Sequence, residues 1–446
     1  MAESATTSRD SLELLPDAAQ RYGAGDVEGW RAGALLLTFF LVSALSQVDR
    51  ILPYIMAESI KAELSLNDTQ IGLLTGVAFA VCYTLLSLPL ARAADRGSPR
   101  FVLVSCIFLW SAMTALGGLA SSFLLLALTR FGVAFGEAGA MPAAHAIIAR
   151  RIRPERRGLA IGLFAMGIPL GTMVGFAAGG ALGDALGWRM VLIGAGTIGL
   201  AIGAMALAVP GPTPPRKTEA ISKEPFLRTS FALLSSPGFR WLFAGAVVAS
   251  FAAAPFYVFV APFLIRTHGF TASEAGLAFG LLQGLMGIAG TLLGGRFFDR
   301  AVRTGTGRVL GPPAIIFLLA SIPMTAALFV PVGWVSILLL VPSMFSFAFM
   351  LPWGFGAAHL VAGEGREAMA TSLVMIGSGL LGPAIGPLLV GVVSDAATAA
   401  GLANGLGIGL LLIPAASLLT CLALLTANRR VAARLRGAVT GDASHF

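Results

Sequence analysis

Asp49, Arg50, Arg130 and Glu137 are the residues whose types and positions could do chemistry. Each interrupts a long apolar run, the first two within residues 33–56 and the others within 124–150. An ionisable side chain at the centre of a membrane helix costs roughly 2.5–3.5 kcal/mol, so four of them require a pairing or a function. Arg130 and Glu137 are seven residues apart, which places both on one helical stripe about 10 Å apart along the axis. Two acids and two arginines balance, and burying them together costs far less than burying one alone. The set also suits proton handling. Burial raises a carboxylate's pKa and a neighbouring guanidinium lowers it, so a carboxylate that changes partners can exchange a proton near neutral pH. Asp49 and Glu137 are therefore the expected proton-coupling pair. Arg50 and Arg130, with Glu137, are the expected contacts of an anionic substrate group. A static network that fastens two helices is the alternative reading.

Membrane helices must position these residues. Of the 446 residues 57% are hydrophobic and 12% charged, and the mean hydropathy of +0.85 lies outside the range of a water-soluble globule. A hydrocarbon core of ~30 Å takes ~20 apolar residues per helix. Twelve runs qualify: 33–57, 69–91, 101–120, 123–149, 158–183, 188–209, 239–265, 273–295, 309–330, 333–361, 368–394 and 405–427. The expected fold is all-α, with twelve transmembrane helices. Residues 1–30 are polar and lack a basic segment followed by an apolar one, so no cleavable signal peptide is expected. Cys82, Cys106 and Cys421 fall inside spans as small apolar residues and imply no disulfide framework.

The basic residues fall on one side. Of the 30 Lys and Arg residues, 25 lie in the N-terminal segment, the tail and the loops after even-numbered spans, and only Lys61, Arg189 and Arg266 lie on the other face. The positive-inside rule then puts both termini in the cytoplasm. The net charge of +8 is a consequence of topology, and nucleic-acid binding is not expected. With span 1 running outward and span 4 inward, Asp49 and Arg130 come out level, roughly 10–12 Å below the outer surface at 1.5 Å per residue. An Asp49 to Arg130 pair between neighbouring helices is predicted, with Glu137 two turns deeper.

The chain also reads as two copies of one plan. Gly72, Gly76, Asp95 and Arg96 recur as Gly276, Gly280, Asp299 and Arg300 at an offset of 204, and Gly171, Gly175 and Gly180 recur as Gly382, Gly386 and Gly391 at an offset of 211. Parallel six-span repeats related by an axis along the membrane normal place a substrate site at their interface near the midplane, which is the plan of a transporter. The expected organisation is a cytoplasmic N-terminal segment at 1–32, a six-helix bundle at 33–209, a cytoplasmic linker at 210–237, a second bundle at 238–428 and a cytoplasmic tail at 429–446. Residues 224–234 of the linker are expected to form a short interfacial helix.

The stretch Ala91-Arg92-Ala93-Ala94-Asp95-Arg96-Gly97-Ser98-Pro99-Arg100 resembles the loop signature between spans 2 and 3 of the major facilitator superfamily, and Gly295-Arg296-Phe297-Phe298-Asp299-Arg300 resembles its copy after span 8. Ala91 stands where the signature's first glycine is usual, and Gly97 arrives one place early. The resemblance implies two pseudo-symmetric six-helix bundles and an ion-pair latch of Asp95, Arg96, Arg100, Asp299 and Arg300 that breaks as the halves rock. Gly162, Gly171, Gly175, Gly179 and Gly180 match the glycine spacing of the superfamily's antiporter-associated motif, with Phe176 in place of its proline. Glycines of this kind permit close helix packing. A narrower resemblance is to the Spinster-like transporters. It rests on Val48-Asp49-Arg50-Ile51-Leu52-Pro53, on the segment from Ser65 to Gly76, and on Arg130-Phe131-Gly132-Val133-Ala134-Phe135-Gly136-Glu137-Ala138. It implies a proton-coupled or facilitative carrier of amphipathic lipids such as lysophospholipids or sphingoid phosphates, with the intramembrane charges of the family at Asp49, Arg50, Arg130 and Glu137.

Spans 7 to 12 carry no Asp, Glu, Arg or Lys well inside the membrane, only Gln283, His359, Trp353, Tyr257 and many Phe and Met residues such as Phe345, Phe347, Phe349 and Met350. Charges on one cavity wall and aromatics on the other suit a molecule with a charged head and an apolar tail. His145 and His359 are expected to be packed or hydrogen-bonded near helix ends. An enzyme is not expected, because no nucleophile and base pair and no Cys/His metal cluster is present. The expectation is a secondary transporter with no cofactor, a proton as coupling ion, an amphipathic or lipid substrate, contact with membrane lipids, a monomeric state and a place in a bacterial inner membrane. The runner-up is a proton-linked carrier of small organic anions or drugs, since arginine pairs grip carboxylates as readily as phosphates.

Overall fold

The structure, a computed structural model, describes residues 30–208, 226–303, 309–362 and 366–440. The acidic N-terminal segment, most of the linker, Arg308 and the last six residues lie outside it. The described residues form helices and connecting turns. Spans α1 to α4 are Trp30–Ile55, Asp68–Arg96, Pro99–Gly117 and Phe123–Arg151. A single 53-residue helix, Pro154–Ala206, is broken by the non-helical backbone of Gly187 at φ 77° and ψ 156°, a conformation open in practice only to glycine. Its two parts are α5 (154–186) and α6 (188–206). The second half supplies α7 (Pro237–His268), α8 (Ala272–Arg303), α9 (Gly311–Ala327), α10 (Gly333–Ala362), α11 (Glu367–Ala399) and α12 (Gly405–Arg430). Twelve spans result.

Helix starts follow local chemistry. Ser98 and Ser122 accept hydrogen bonds from the third residues of α3 and α4. Asn67 and Gln70 close a capping box on α2, and Thr271 with Glu274 does the same for α8. Such caps satisfy amides that the first turn leaves without partners. Between α1 and α2 the chain forms a short helix, Ala57–Leu64, rather than carrying span 1 to residue 57. A short helix, Phe226–Ser235, stands where one was expected in the linker, packed on α7 and α11 with Leu233 buried and Phe231 exposed. Beyond α12 the helix continues to Thr440, so the first part of the basic tail is helical.

Packing repeats between halves: α1 on α5, α2 on α4, and α3 on α4 and α6 have counterparts in α7 on α11, α8 on α10, and α9 on α10 and α12. The halves meet through α2 on α11 and α5 on α8. The duplicated glycines account for this. Gly72 and Gly76 lie against the backbone of Pro387 and Pro383, and Gly276 and Gly280 against Phe176 and Met173. Gly180 lies against Ala272 as Gly391 lies against Asp68. These contacts occupy the end opposite the chain termini, the far end. Along the α5 stripe that carries Gly180 and Met173, the next residues at seven-residue spacing, Met166 and Leu159, are 52% and 64% exposed. The halves therefore touch at the far end and part toward the end that carries the termini.

Candidate functional site

The four charges come together on α1 and α4, but not in the predicted pairing. Arg50 Nη2 donates to Glu137 Oε2 at 2.6 Å, whereas Arg130 Nη1 donates to the backbone carbonyl of Asp49 at 3.1 Å. Asp49 and Arg130 are level, as the depth estimate requires. The Asp49 carboxylate, however, turns toward Trp110 and Thr114 of α3, which stand beside it just outside full hydrogen-bond geometry. Adjacent residues on a helix diverge by about 100°, so Asp49 and Arg50 face different neighbours. Asp49, Arg130 and Glu137 are buried, while the Arg50 side chain is 27% exposed.

Aromatic residues of α2 complete the cluster. The Arg50 guanidinium lies 4.5 Å from the Phe79 ring centre and 5.3 Å from that of Tyr83, and Arg130 lies 5.7 Å from Phe79. Arginine over an aromatic face gains roughly 0.5–2 kcal/mol, and the shared ring fixes both guanidiniums. Tyr54 stands within electrostatic reach of Arg50, Arg130 and Glu137. The sequence reading missed Phe79, Tyr83 and Tyr54; the signal was that Tyr54 lies one turn after Arg50 on α1 and that Phe79 and Tyr83 lie in the neighbouring span α2.

Two small spaces flank the charged cluster. On the termini side, one is bordered by Ser43, Ser46, Gln47, Arg50, Tyr83 and Glu137. On the far side, a narrow gap is walled by Pro53, Ile71, Leu74, Leu126 and Leu192, with Arg130 as its charged member. A π-helical segment, Leu73–Val77, carries Leu74 and Thr75 into that second space. Such bulges insert an extra residue into a helix and are frequent at functional sites.

The expected aromatic wall in the second half is different. Phe347, Phe349, Met350 and Trp353 are buried in its core, interlocked with Phe256, Phe317 and Phe298. Burial of their large apolar area takes them away from the cleft. Tyr257, Gln283 and Phe345 remain half-buried. His145 Nδ1 contacts the Met141 carbonyl at 3.1 Å and His359 Nε2 contacts Thr371 Oγ1 at 2.7 Å.

At the termini end the latch residues take another arrangement. Asp95 meets α4 through its backbone, since Arg150 donates to the carbonyls of Asp95 at 2.8 Å and Ala94 at 3.4 Å, while its carboxylate is exposed. Arg100 donates to the Leu207 carbonyl. Arg96, Asp299 and Arg300 are exposed. With the halves apart at this end, no contact between the charges of the first signature and those of its copy is seen among the described residues. Among the antiporter-motif glycines, Gly171 and Gly175 pack on Ala44, Val48 and Ile51, Gly179 on Leu52 and Gly180 on Ala272. Gly162 meets nothing within 4 Å, because it lies on an exposed face where α5 has parted from α8, while Ala160 and Phe164 beside it stay buried; it is not a packing glycine.

The far end carries a network the sequence reading did not foresee. Arg266 of α7 donates to both oxygens of Asp68, each at 2.8 Å, and to Glu58 at 2.6 and 3.2 Å. Lys61 and Ser394 also donate to Asp68 at 2.6 Å. Asp395 of α11 accepts from the amides of Asp68 and Thr69 at 3.0 and 2.8 Å, capping α2 of the other half. Asp184 of α5 accepts from the Ser273 amide at 2.7 Å, capping α8 in the same way. Asp184 and Asp395 are 211 apart, the offset of the glycine repeat. Glu63, outside the spans, accepts from Arg189 at 2.7 Å and Trp188 at 2.6 Å, and these bonds hold its carboxyl below the usual range.

Residues 35–387 match the family described as the Major Facilitator Superfamily. The chain belongs to the major facilitator superfamily. It is 34% identical over 402 residues to an MFS-type efflux pump of Mycolicibacterium smegmatis, a match covering 90% of this chain and 92% of that protein. It is 33% identical to a probable L-galactonate transporter of Escherichia coli over 38% of each. Among solved structures it resembles a bacterial homolog of the human lysosomal transporter Spinster in an inward-facing and unoccupied conformation. The TM-score is 0.78 and the identity 27%, covering 93% of this chain and 98% of that one. As a member of this superfamily, resembling its Spinster branch, the chain is an integral membrane transporter of a small-molecule substrate and not an enzyme.

Proposed function

We infer that this transporter works by alternating access, is coupled to protons and moves an amphipathic anionic or zwitterionic lipid such as a lysophospholipid or a sphingoid phosphate. The observation that carries this reading is the partly exposed Arg50 side chain, braced on Phe79 and Tyr83, with Glu137 as a counter-ion 2.6 Å away. An anionic headgroup entering from the termini side competes with Glu137 for Arg50. A buried carboxylate that loses its guanidinium is better off neutral, so headgroup binding and protonation of Glu137 rise together. Asp49 is the second member of the proton pair, and their titrations are coupled. The far-side gap, apolar except for Arg130 and Thr75, would have to widen as the halves move before it could take part of an amphipathic substrate. In this reading the termini end faces the cytoplasm at a bacterial inner membrane, which the positive-inside count supports, and the protein acts as a monomer.

A second reading is a proton-linked carrier of small organic anions or drugs; the M. smegmatis relative, named as an efflux pump, keeps it in view. Proton uptake or release by the purified protein, on adding lysophospholipid and separately small aromatic acids, separates the two. The lipid reading expects a proton signal with lysophospholipid that disappears in Asp49→Asn and Glu137→Gln. Binding with no proton signal, unchanged in both variants, would reduce the cluster to a structural clamp. A signal with the aromatic acids alone would transfer the assignment to the second reading.

A further inference from the structure

The Asp49 carboxylate has a setting of its own, apart from the Arg50 and Glu137 pair. Both its oxygens are buried without a hydrogen-bond partner, and so are Trp110 Nε1, Thr114 Oγ1 and Ser111 Oγ on the facing turns of α3 and Arg130 Nε on α4. Trp110 and Thr114 are the α3 side chains directed at the carboxylate. The charged neighbours of Asp49 are Arg130 and Glu137 of α4, with Arg50 beside it on α1 and Tyr54 one turn on. Elements α5 and α6 approach this stretch through glycines, Gly171 and Gly175 against α1 and Gly199 against Ser111, and bring no titratable group there. From α2 come Phe79 and Tyr83, both beside Arg50.

Buried donors next to an acceptor they do not reach are costly to keep, and a second arrangement that joins them removes that cost. We propose that Thr114 and Trp110 are positioning residues that hold Asp49 in its ionised form, each donating one hydrogen bond to the carboxylate. Arg130 stays on the Asp49 backbone carbonyl whether Asp49 is ionised or neutral. The carboxylate then gains two donors on losing its proton without taking Arg130 from the far-side space, so Asp49 can cycle while Arg130 remains available to substrate. This rests on the reading of Asp49 as a proton carrier.

The test is a pH titration of the protonated-carboxyl infrared band in the full-length protein in lipid nanodiscs, with the Asp49 component assigned by its loss in Asp49→Asn. A hydrogen bond to an ionised acceptor moves the midpoint by about one pH unit or more, a tenfold change in proton affinity per unit. In Thr114→Val and Trp110→Phe the midpoint should rise by that amount. In Thr114→Ser, which keeps the hydroxyl, it should return, and in Ser111→Ala it should stay in place. An unchanged midpoint in Thr114→Val, an equal shift in Ser111→Ala, or no Asp49 band at any pH would overturn the proposal. Thr114→Val is close to isosteric and decides the matter if Trp110→Phe does not fold. Proton release on adding lysophospholipid is measured in parallel. If Asp49→Asn leaves that release intact while the midpoints shift as stated, the coupling reading fails and the donor assignment stands. If Asp49→Asn abolishes release and the midpoints do not move, only the donor assignment fails.

Discussion

Arg266→Met removes the four hydrogen bonds that tie α7 of the second half to Asp68 and Glu58 of the first. In the closed far end it would leave the Asp68 side chain, only 2% exposed, with Lys61 and Ser394 as remaining side-chain donors. Removing one partner of a fully buried pair costs about 3–5 kcal/mol. Arg266 is 29% exposed and two donors remain, so a bias of about 2 kcal/mol against the closed far end is the reasonable expectation. In an open far end the same groups are solvated and the substitution costs little. The ratio of closed to open should therefore fall about thirty-fold, since each 1.4 kcal/mol is a factor of ten. Spin labels on Ala62→Cys and Leu402→Cys, both exposed at the far end and on opposite halves, report the separation, and the native cysteines are buried. Pulsed dipolar spectroscopy should show a longer-distance population in Arg266→Met that is minor or absent in the parent. Identical distance distributions, with the variant stably folded, would refute the assignment of this network as the element that holds the far end shut.

Arg50→Lys should weaken lysophospholipid binding about tenfold while keeping the charge, because an ammonium loses the planar stack on Phe79 and the forked geometry; Phe79→Ala should cost about three- to tenfold, both read by tryptophan quenching or calorimetry. Gly72→Val and Gly276→Val each push a side chain into the facing backbone and should abolish far-end disulfide crosslinking between halves, whereas Gly162→Ala, which meets open space, should leave crosslinking and transport unchanged. Bonds from Arg189 and Trp188 lower the carboxyl of Glu63 below its ordinary value of 4.5, so its contribution to stability is present above that pH and fades as pH falls through the lowered value. Glu63→Gln should therefore lower the melting temperature at pH 7 and narrow the gap to the parent near pH 3, by scanning fluorimetry in detergent.

The spans were legible because an apolar run of twenty residues has one use in a chain of this composition, and the twofold plan because glycines at helix contacts tolerate little substitution of shape. The four intramembrane charges were legible for the cost of placing them there. Their partners were not. Which face Asp49 or Arg50 presents depends on the rotation of α1 against α3 and α4, and α3 announces nothing in its composition. The far-end network left a readable trace that was not used: Lys61, Arg189 and Arg266 were the exceptions to the charge asymmetry, and each is bound to an acid in the structure, Asp68, Glu63, and Glu58 with Asp68. The aromatic residues of α10 were misplaced because a phenylalanine suits a core and a cavity wall equally well. Gly162 shares its spacing with true contact glycines, and only the divergence of α5 from α8 distinguishes it.

The crossed aspartates constrain which motions can open this end. Asp395 reaches from the second half to the start of α2, and Asp184 reaches from the first half to the start of α8. A lateral slide of one half over the other that shortens one reach lengthens the second, so shear meets resistance in either direction. A tilt that lifts both helix starts together strains the two caps equally. The paired caps therefore tie the halves at both helix starts, so any motion that parts them at this end has to give up both caps.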